Sequence, residues 1–290
     1  MKNEIDYQDL IQEIKLTESD FLKDLRYLLS HSNLAIKSLS EYYFELGEYS
    51  EKAFISNLES ANIPLKQEFR KLPLGKYAEE LLKFYFKNSN DWKLIKANQV
   101  VYENSKSVGE IDFIIQNTKD CRFTHLEFAI KFYLLFKDEF IGLNPKDNLR
   151  NKVNKLLHKQ LPLFKKYKYQ IAPKLINHAV ESKVLLKGAF FYPIHLFDFE
   201  QNNLNNGWWC YRLEMNKVVN NRYLFEIVEN KQDWIFPFKR KKLMEFDTCL
   251  ANLKEMFLKK REVMICRYSL KEGLVHDRGF IVSDEWPNLF

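Results

Sequence analysis

Gly109-Glu110-Ile111-Asp112-Phe113-Ile114-Ile115, followed after the polar break Gln116-Asn117-Thr118-Lys119-Asp120 by His125-Leu126-Glu127-Phe128-Ala129-Ile130-Lys131-Phe132-Tyr133, decides how this chain reads. Branched and aromatic residues dominate both pieces, which predicts two strands with a turn between them. Alternation puts Glu110 and Asp112 on one face, and Glu127, Ala129 and Lys131 on one face of the next strand. Burying unpaired charge costs on the order of several kcal/mol, so three carboxylates and an ammonium on adjacent strands mark a site rather than core filler.

Working outward, Leu74 to Phe86 predicts a helix whose buried face is Ala78, Leu81, Leu82 and Tyr85. Glu79 falls at the margin of that face, as a site carboxylate or a solvated surface group. Trp92 to Tyr102 reads as a strand, giving the order helix, strand, strand, strand. A further helix begins near Pro145-Lys146-Asp147-Asn148 and buries Leu149, Val153, Leu156, Leu157 and Leu161. Gln160 lies beside this stripe, where its amide needs a partner, and Pro162 is expected to end the helix.

The N-terminal residues 1–70 read as an amphipathic helical segment, with stripes at Tyr7, Leu10, Ile11, Ile14 and at Phe21, Leu22, Leu25, Leu28, Leu29. Residues 71–180 hold the charged strands and their helices. Residues 181–290 predict strands around Val184–Tyr192, Trp208–Leu213, Tyr223–Val228, Val263–Tyr268 and Phe280–Val282, with one helix at 245–259. The fold class expected is α/β (α+β), a mixed sheet core flanked by helices, with a helical N-terminal segment and a strand-rich C-terminal region packed on the core.

Composition narrows the function. The 290 residues are 46% hydrophobic and 29% charged, as in a soluble globular protein, and the net charge of +6 has the sign that suits a nucleic-acid partner. No run of about 20 apolar residues predicts a membrane span. The N-terminus lacks the apolar core of a secretory signal, and the four cysteines are scattered, so a reduced, cytoplasmic setting is expected. Without a C-x-x-C or H-E-x-x-H pair, zinc held by cysteine or by a zincin helix is not expected.

A helix with Glu79, then Glu110-x-Asp112, then Glu127-x-x-x-Lys131, then a helix with Gln160 resembles the metal-dependent nuclease superfamily with the PD-(D/E)XK motif and a restriction-endonuclease-like core. The wording of several segments is similar to a bacterial family, domain-of-unknown-function family 1853. They are Asp24-Leu25-Arg26-Tyr27-Leu28-Leu29, Leu74-Gly75-Lys76-Tyr77-Ala78-Glu79, Gly109 to Phe113, His125 to Leu134, Gly142-Leu143-Asn144-Pro145, Gly207-Trp208-Trp209 and Asp284-Glu285-Trp286-Pro287.

The nuclease resemblance implies hydrolysis of phosphodiester bonds in DNA, less readily RNA, with Mg²⁺ or Mn²⁺. Asp112 would be the central ligand, with Glu127 and Glu79 or Glu110 beside it. Lys131 would orient the attacking water or stabilise the transition state, and Gln160 would position metal-bound water or backbone. The superfamily usually carries an acid two residues before the lysine; here that residue is Ala129. Glu127 shares its face but sits about 7 Å further along the strand. The charge cluster also has a purely structural reading, with Lys131 neutralising Asp112 and Glu127.

His125, on the face of Glu127, is either an additional ligand or general base, or a hydrogen-bonded neighbour of the site. The basic stretches Lys165-Lys166-Tyr167-Lys168, Lys239-Arg240-Lys241-Lys242 and Lys259-Lys260-Arg261 are phosphate-contact candidates, or solvated surface. Trp208, Trp209, Trp234 and Trp286 read more readily as packing than as a surface for bases. Two further functions stay open: a nuclease-fold module without turnover that binds nucleic acid or protein, and a metal-dependent enzyme for a small phosphate-containing molecule.

Overall fold

The computed structural model describes residues 19–46, 54, 67–198, 205–239, 241–259, 262–270 and 275–288. The stripe expected at Tyr7–Ile14, the basic residues Arg240, Lys260 and Arg261, and positions 200–204 of the polar loop lie outside these residues. Two compact units divide the chain: Leu25–Lys131 with Arg150–Lys187, and Met1–Asp24 with Phe132–Leu149 and Gly188–Phe290. The division falls within two long strands, β3 (Phe123–Phe136) and β5 (Val180–Pro193), so each contributes to both units.

In the first unit β1 (Trp92–Glu103) and β2 (Lys106–Asn117) form an antiparallel hairpin. Its tip, Asn104-Ser105, has φ of 49° and 64°, the left-handed pair that a tight two-residue turn requires. β2 pairs antiparallel with β3 through Phe113↔Leu126, Ile114↔His125, Ile115↔Thr124 and Gln116↔Phe123, and β5 follows β3 in the sheet. Helix α1 (Asp20–Ser30) enters this unit with Leu25, Leu28 and Leu29 buried. Beyond it, where a helix is expected, the chain follows β5 and folds into a short 3-10 turn at Lys37–Tyr42, with the Leu34 amide donating to Leu186 O and that of Phe44 to Val184 O.

Helix α2 (Leu74–Asn88) buries Tyr77, Ala78, Leu81, Leu82, Tyr85 and Phe86, and sets Phe86 edge-on to Phe113. On the other side, Phe164 stacks on His125. Because Phe113 pairs with Leu126, the neighbour of His125, the two helices cover opposite faces of these strands.

Phe164 belongs to a helix that Pro162 does not end. Helix α3 (Leu149–Lys155) passes into a π turn (Leu156–Gln160) and then into α4 (Leu161–Ile171), with Pro162 in the first turn of α4. Pro lacks an N–H, and in that turn none is needed. The wide turn, closed by the Leu161 amide on Leu156 O, lets the chain restart around the proline instead of stopping at it.

In the second unit the order is β3-β5-β6-β9-β8-β7, with β4 (Glu139–Gly142) on the end of β3. β6 (Asn206–Tyr211) lies parallel to β5 and to β9 (Val275–Val282), while β8 (Glu262–Ser269) and β7 (Tyr223–Val228) add antiparallel. Among the described residues nine strands are hydrogen-bonded in a mixed sheet. Helix α5 (Phe246–Met256) buries Cys249 and Leu253 in a core that includes Trp208, Val263, Ile265 and Ile281. Trp208, Trp209, Trp234 and Trp286 are all buried, so the tryptophans pack. No helix among the described residues is long and apolar enough to cross a membrane.

Candidate active site

The strand pairing that creates the site also stops at it. The β2–β3 ladder runs to Phe113↔Leu126; at the next step, where Asp112 and Glu127 come abreast, the Phe128 amide donates to Asp112 Oδ2 at 2.8 Å. A side chain thus takes the ladder bond, and two carboxylates meet on one face of the sheet. Burial, then the charge of Glu127, then that of Glu79 raise the pKa of Asp112, against the Phe128 hydrogen bond and Lys152, so that it is pushed up to about 8. A carboxyl this reluctant to ionise beside a second one is a place that lacks positive charge.

Glu127 is wholly buried, and both of its oxygens are engaged. Oε1 lies 2.8 Å from His125 Nε2, and Oε2 accepts from the Gln160 amide. An ionised carboxylate only accepts, so with Glu127 ionised Nε2 carries the imidazole proton. In the neutral ring Nδ1 then accepts from Ser182 Oγ, 3.0 Å away. Gln160 Oε1 accepts from Lys152 Nζ at 3.1 Å. Only one orientation of the amide satisfies both neighbours, nitrogen to carboxylate and oxygen to ammonium. The result is one row: Ser182, His125, Glu127, Gln160, Lys152.

The π turn makes that row possible. In a regular helix residues eight apart differ by about 80° around the axis, at about 100° per residue. A π turn absorbs one extra residue, so Lys152 and Gln160 behave like a pair seven apart, offset by only about 20°. Burial, and then Lys131 beside it, push the Lys152 ammonium below its ordinary value, while Glu127 and Asp112 pull the other way. Lys152 is a cation whose field opposes the raised pKa of Asp112.

Glu79 and Glu110 meet in an adjoining group. Asn98 Nδ2 donates to Glu79 Oε2 at 3.1 Å and to Glu110 Oε1 at 3.2 Å, from a backbone with φ 52° that asparagine tolerates better than most residues. Lys76 Nζ sits 2.7 Å from Glu79 Oε2 and 3.8 Å from Glu110 Oε1. The hydrogen bond to Glu79 is the main reason that the Lys76 ammonium is held above its usual value. Glu79 therefore reaches Asp112 through its field and is itself bonded to Lys76 and Asn98. Among the described residues no three His, Cys, Asp or Glu side chains converge as a closed metal site would require.

The basic stretches differ in what they leave available. Lys165 and Lys166 are exposed on α4, with Lys166 Nζ 4.7 Å above the Tyr167 ring and 3.5 Å from Glu103. Lys168 donates to Ile176 O and His178 O. Lys239 is buried between Asp24 and Asp233, at 2.9 and 2.6 Å. Lys241 pairs with Asp20, and Lys242 is exposed.

Sequence reasoning missed Lys152, Ser182, Asn98 and Lys76. Lys152 alone left a signal: it follows Leu149 by three and precedes Leu156 by four, which puts a charge on the apolar stripe of its helix. No curated protein and no solved structure matches the chain. The profile described as Domain of unknown function (DUF1853) matches residues 17–282, well over half of the sequence, and the chain belongs to that family.

Proposed function

We propose that this protein is a divalent-cation-dependent phosphodiesterase acting on nucleic acid, DNA before RNA. The observation that carries the reading is the pair Asp112 and Glu127, abreast at the end of a strand ladder, with the Asp112 carboxyl pushed up to about 8 by burial and by its carboxylate neighbours. Two protein carboxylates, completed by waters and phosphate oxygens, suit Mg²⁺ or Mn²⁺, which keep much of their water, better than a closed cage of side chains does.

Asp112 and Glu127 would hold the cation, with Glu79 contributing through its field. Bound there, it would neutralise the carboxylates, lower the pKa of a water and offset charge on the phosphoryl oxygens. His125 and Gln160 hold the Glu127 carboxylate still from both sides. Lys131 supplies positive charge for the phosphorane, and the exposed Lys165 and Lys166 of the same unit offer phosphate contacts away from the chemistry.

One observation favours a second reading, a binding module without turnover. Both Glu127 oxygens are already satisfied by His125 and Gln160, as they would be in a purely structural network. Calorimetric titration of Mg²⁺ and Mn²⁺ into wild type and Asp112→Asn separates the two. The proposal expects saturable binding that the substitution abolishes. No heat of binding in wild type, or equal binding in both, would favour the module. Salt-dependent binding of polynucleotide argues against a small phosphate-containing substrate.

A further inference from the structure

The geometry points to Lys152 as a second catalytic lysine, whose ammonium contacts the phosphate undergoing hydrolysis while Gln160 aims it. This inference rests on the phosphodiesterase reading above and deepens it. The usual motif places one lysine, here Lys131, on the strand, and nothing in that motif asks for a lysine on the helix opposite. Yet the π turn brings Lys152 and Gln160 onto one helix face, and a hydrogen bond of 3.1 Å ties the ammonium to the amide that also holds Glu127.

Asp112 and Glu127 from the strands, Lys131 from β3 and Lys155 from the same helix all act on the Lys152 ammonium. A lysine desolvated next to another lysine is costly to keep for packing alone. The cost is understandable where an anion arrives between them. A phosphate held by the carboxylate-bound cation would meet ammonium groups on two sides, from the strand and from the helix. An amide fixed by a carboxylate on its other end keeps the helix ammonium from wandering, which is the preorganisation that transition-state stabilisation needs.

The test uses the full chain, with short labelled duplex and single-stranded DNA. Cleavage is followed in Mg²⁺, and binding is followed by fluorescence anisotropy in Ca²⁺ over a series of salt concentrations. Lys152→Met keeps the apolar stem and removes the charge; Lys152→Gln keeps a donor for Gln160, so one variant remains informative if the other folds poorly. Lys174→Met, an exposed lysine of the same unit that is not among the charges acting on Lys152, is the control.

Both Lys152 variants should lose about a hundredfold or more in kcat, and the slope of log affinity against log salt should shrink by about one unit, while Lys174→Met keeps wild-type kcat. If wild type cuts and the Lys152 variants cut within about threefold of it, the inference is overturned and the phosphodiesterase reading stands. Loss of kcat with an unchanged salt slope also overturns it, because Lys152 would then act only through Gln160. A wild type that cuts neither DNA overturns both.

Discussion

Asp112 concentrates the tension of the site in one side chain. Its pKa in the fold lies above the unfolded value, so the fold favours the protonated acid. The stability this contributes is fully present below about pH 4 and is lost as pH rises through about 8. Asp112→Asn keeps the shape without the charge, and the oxygen of the new side-chain amide can still accept from the Phe128 N–H. The variant should therefore melt above wild type at pH 8.5 without metal, by at least about 2 °C, with the gap closing toward pH 5. Equal melting temperatures at pH 8.5 would show that burial and the neighbouring carboxylates do not penalise the ionised Asp112.

Glu127 is the counterpart case. His125→Ala removes a buried partner from a buried carboxylate and should cost about 2–4 kcal/mol in a denaturant titration, more than Ser182→Ala, which cuts only the far end of the row. At this scale the acids, Lys131 and Gln160 were legible, because charge or amide on an apolar strand or stripe contradicts the pattern around it. Ser182 and Asn98 were not, since a small polar residue in a strand is unremarkable until its neighbours are known.

Among the elements, the helix from Leu149 to Ile171 matters most, and the sequence misled about it. Pro162 reads as a stop; in the fold it is the first turn of α4, and the preceding π turn sets the angle at which Gln160 reaches Glu127. A periodicity of 3.6 cannot anticipate a single inserted residue. The hairpin and the charged strands were readable from alternation, but the end of the ladder at Asp112 depends on pairing, which alternation alone does not specify.

Gly109 couples this helix to β2. A Cβ placed there would come within 2.6 Å of Leu163 Cδ2, the flexible tip of a side chain on α4. Gly109→Ala should therefore be nearly tolerated. Gly109→Val should cost about 1–3 kcal/mol and weaken divalent-cation binding, by displacing α4 and with it Gln160. Unaltered stability in Gly109→Val would show that the helix does not rest on this strand.

Across the whole molecule, the strand-rich final third was legible because its apolar runs are short and bounded by polar residues. The division of the chain was not: the two units exchange within β3 and β5, where the sequence shows no linker. In the second unit Gly279 carries the ring of Trp208, whose indole N–H donates to Asp277 at 2.7 Å. A Cβ at 279 would lie 2.2 Å from that ring, and a buried, hydrogen-bonded tryptophan cannot yield as a leucine tip can. Gly279→Ala should destabilise the protein by about 1–3 kcal/mol or more, read from the shift in its denaturant midpoint.

The most direct test of the central claim is cleavage of a panel of single-stranded, double-stranded and branched DNA and of RNA, in Mg²⁺ or Mn²⁺, by wild type and by Asp112→Asn. Since that variant is expected to be at least as stable as wild type, lost activity would report chemistry rather than unfolding. The account predicts metal-dependent cutting by wild type that falls about a hundredfold or more in Asp112→Asn. Cutting that survives the substitution, or a wild type that cuts nothing on the panel, would contradict it.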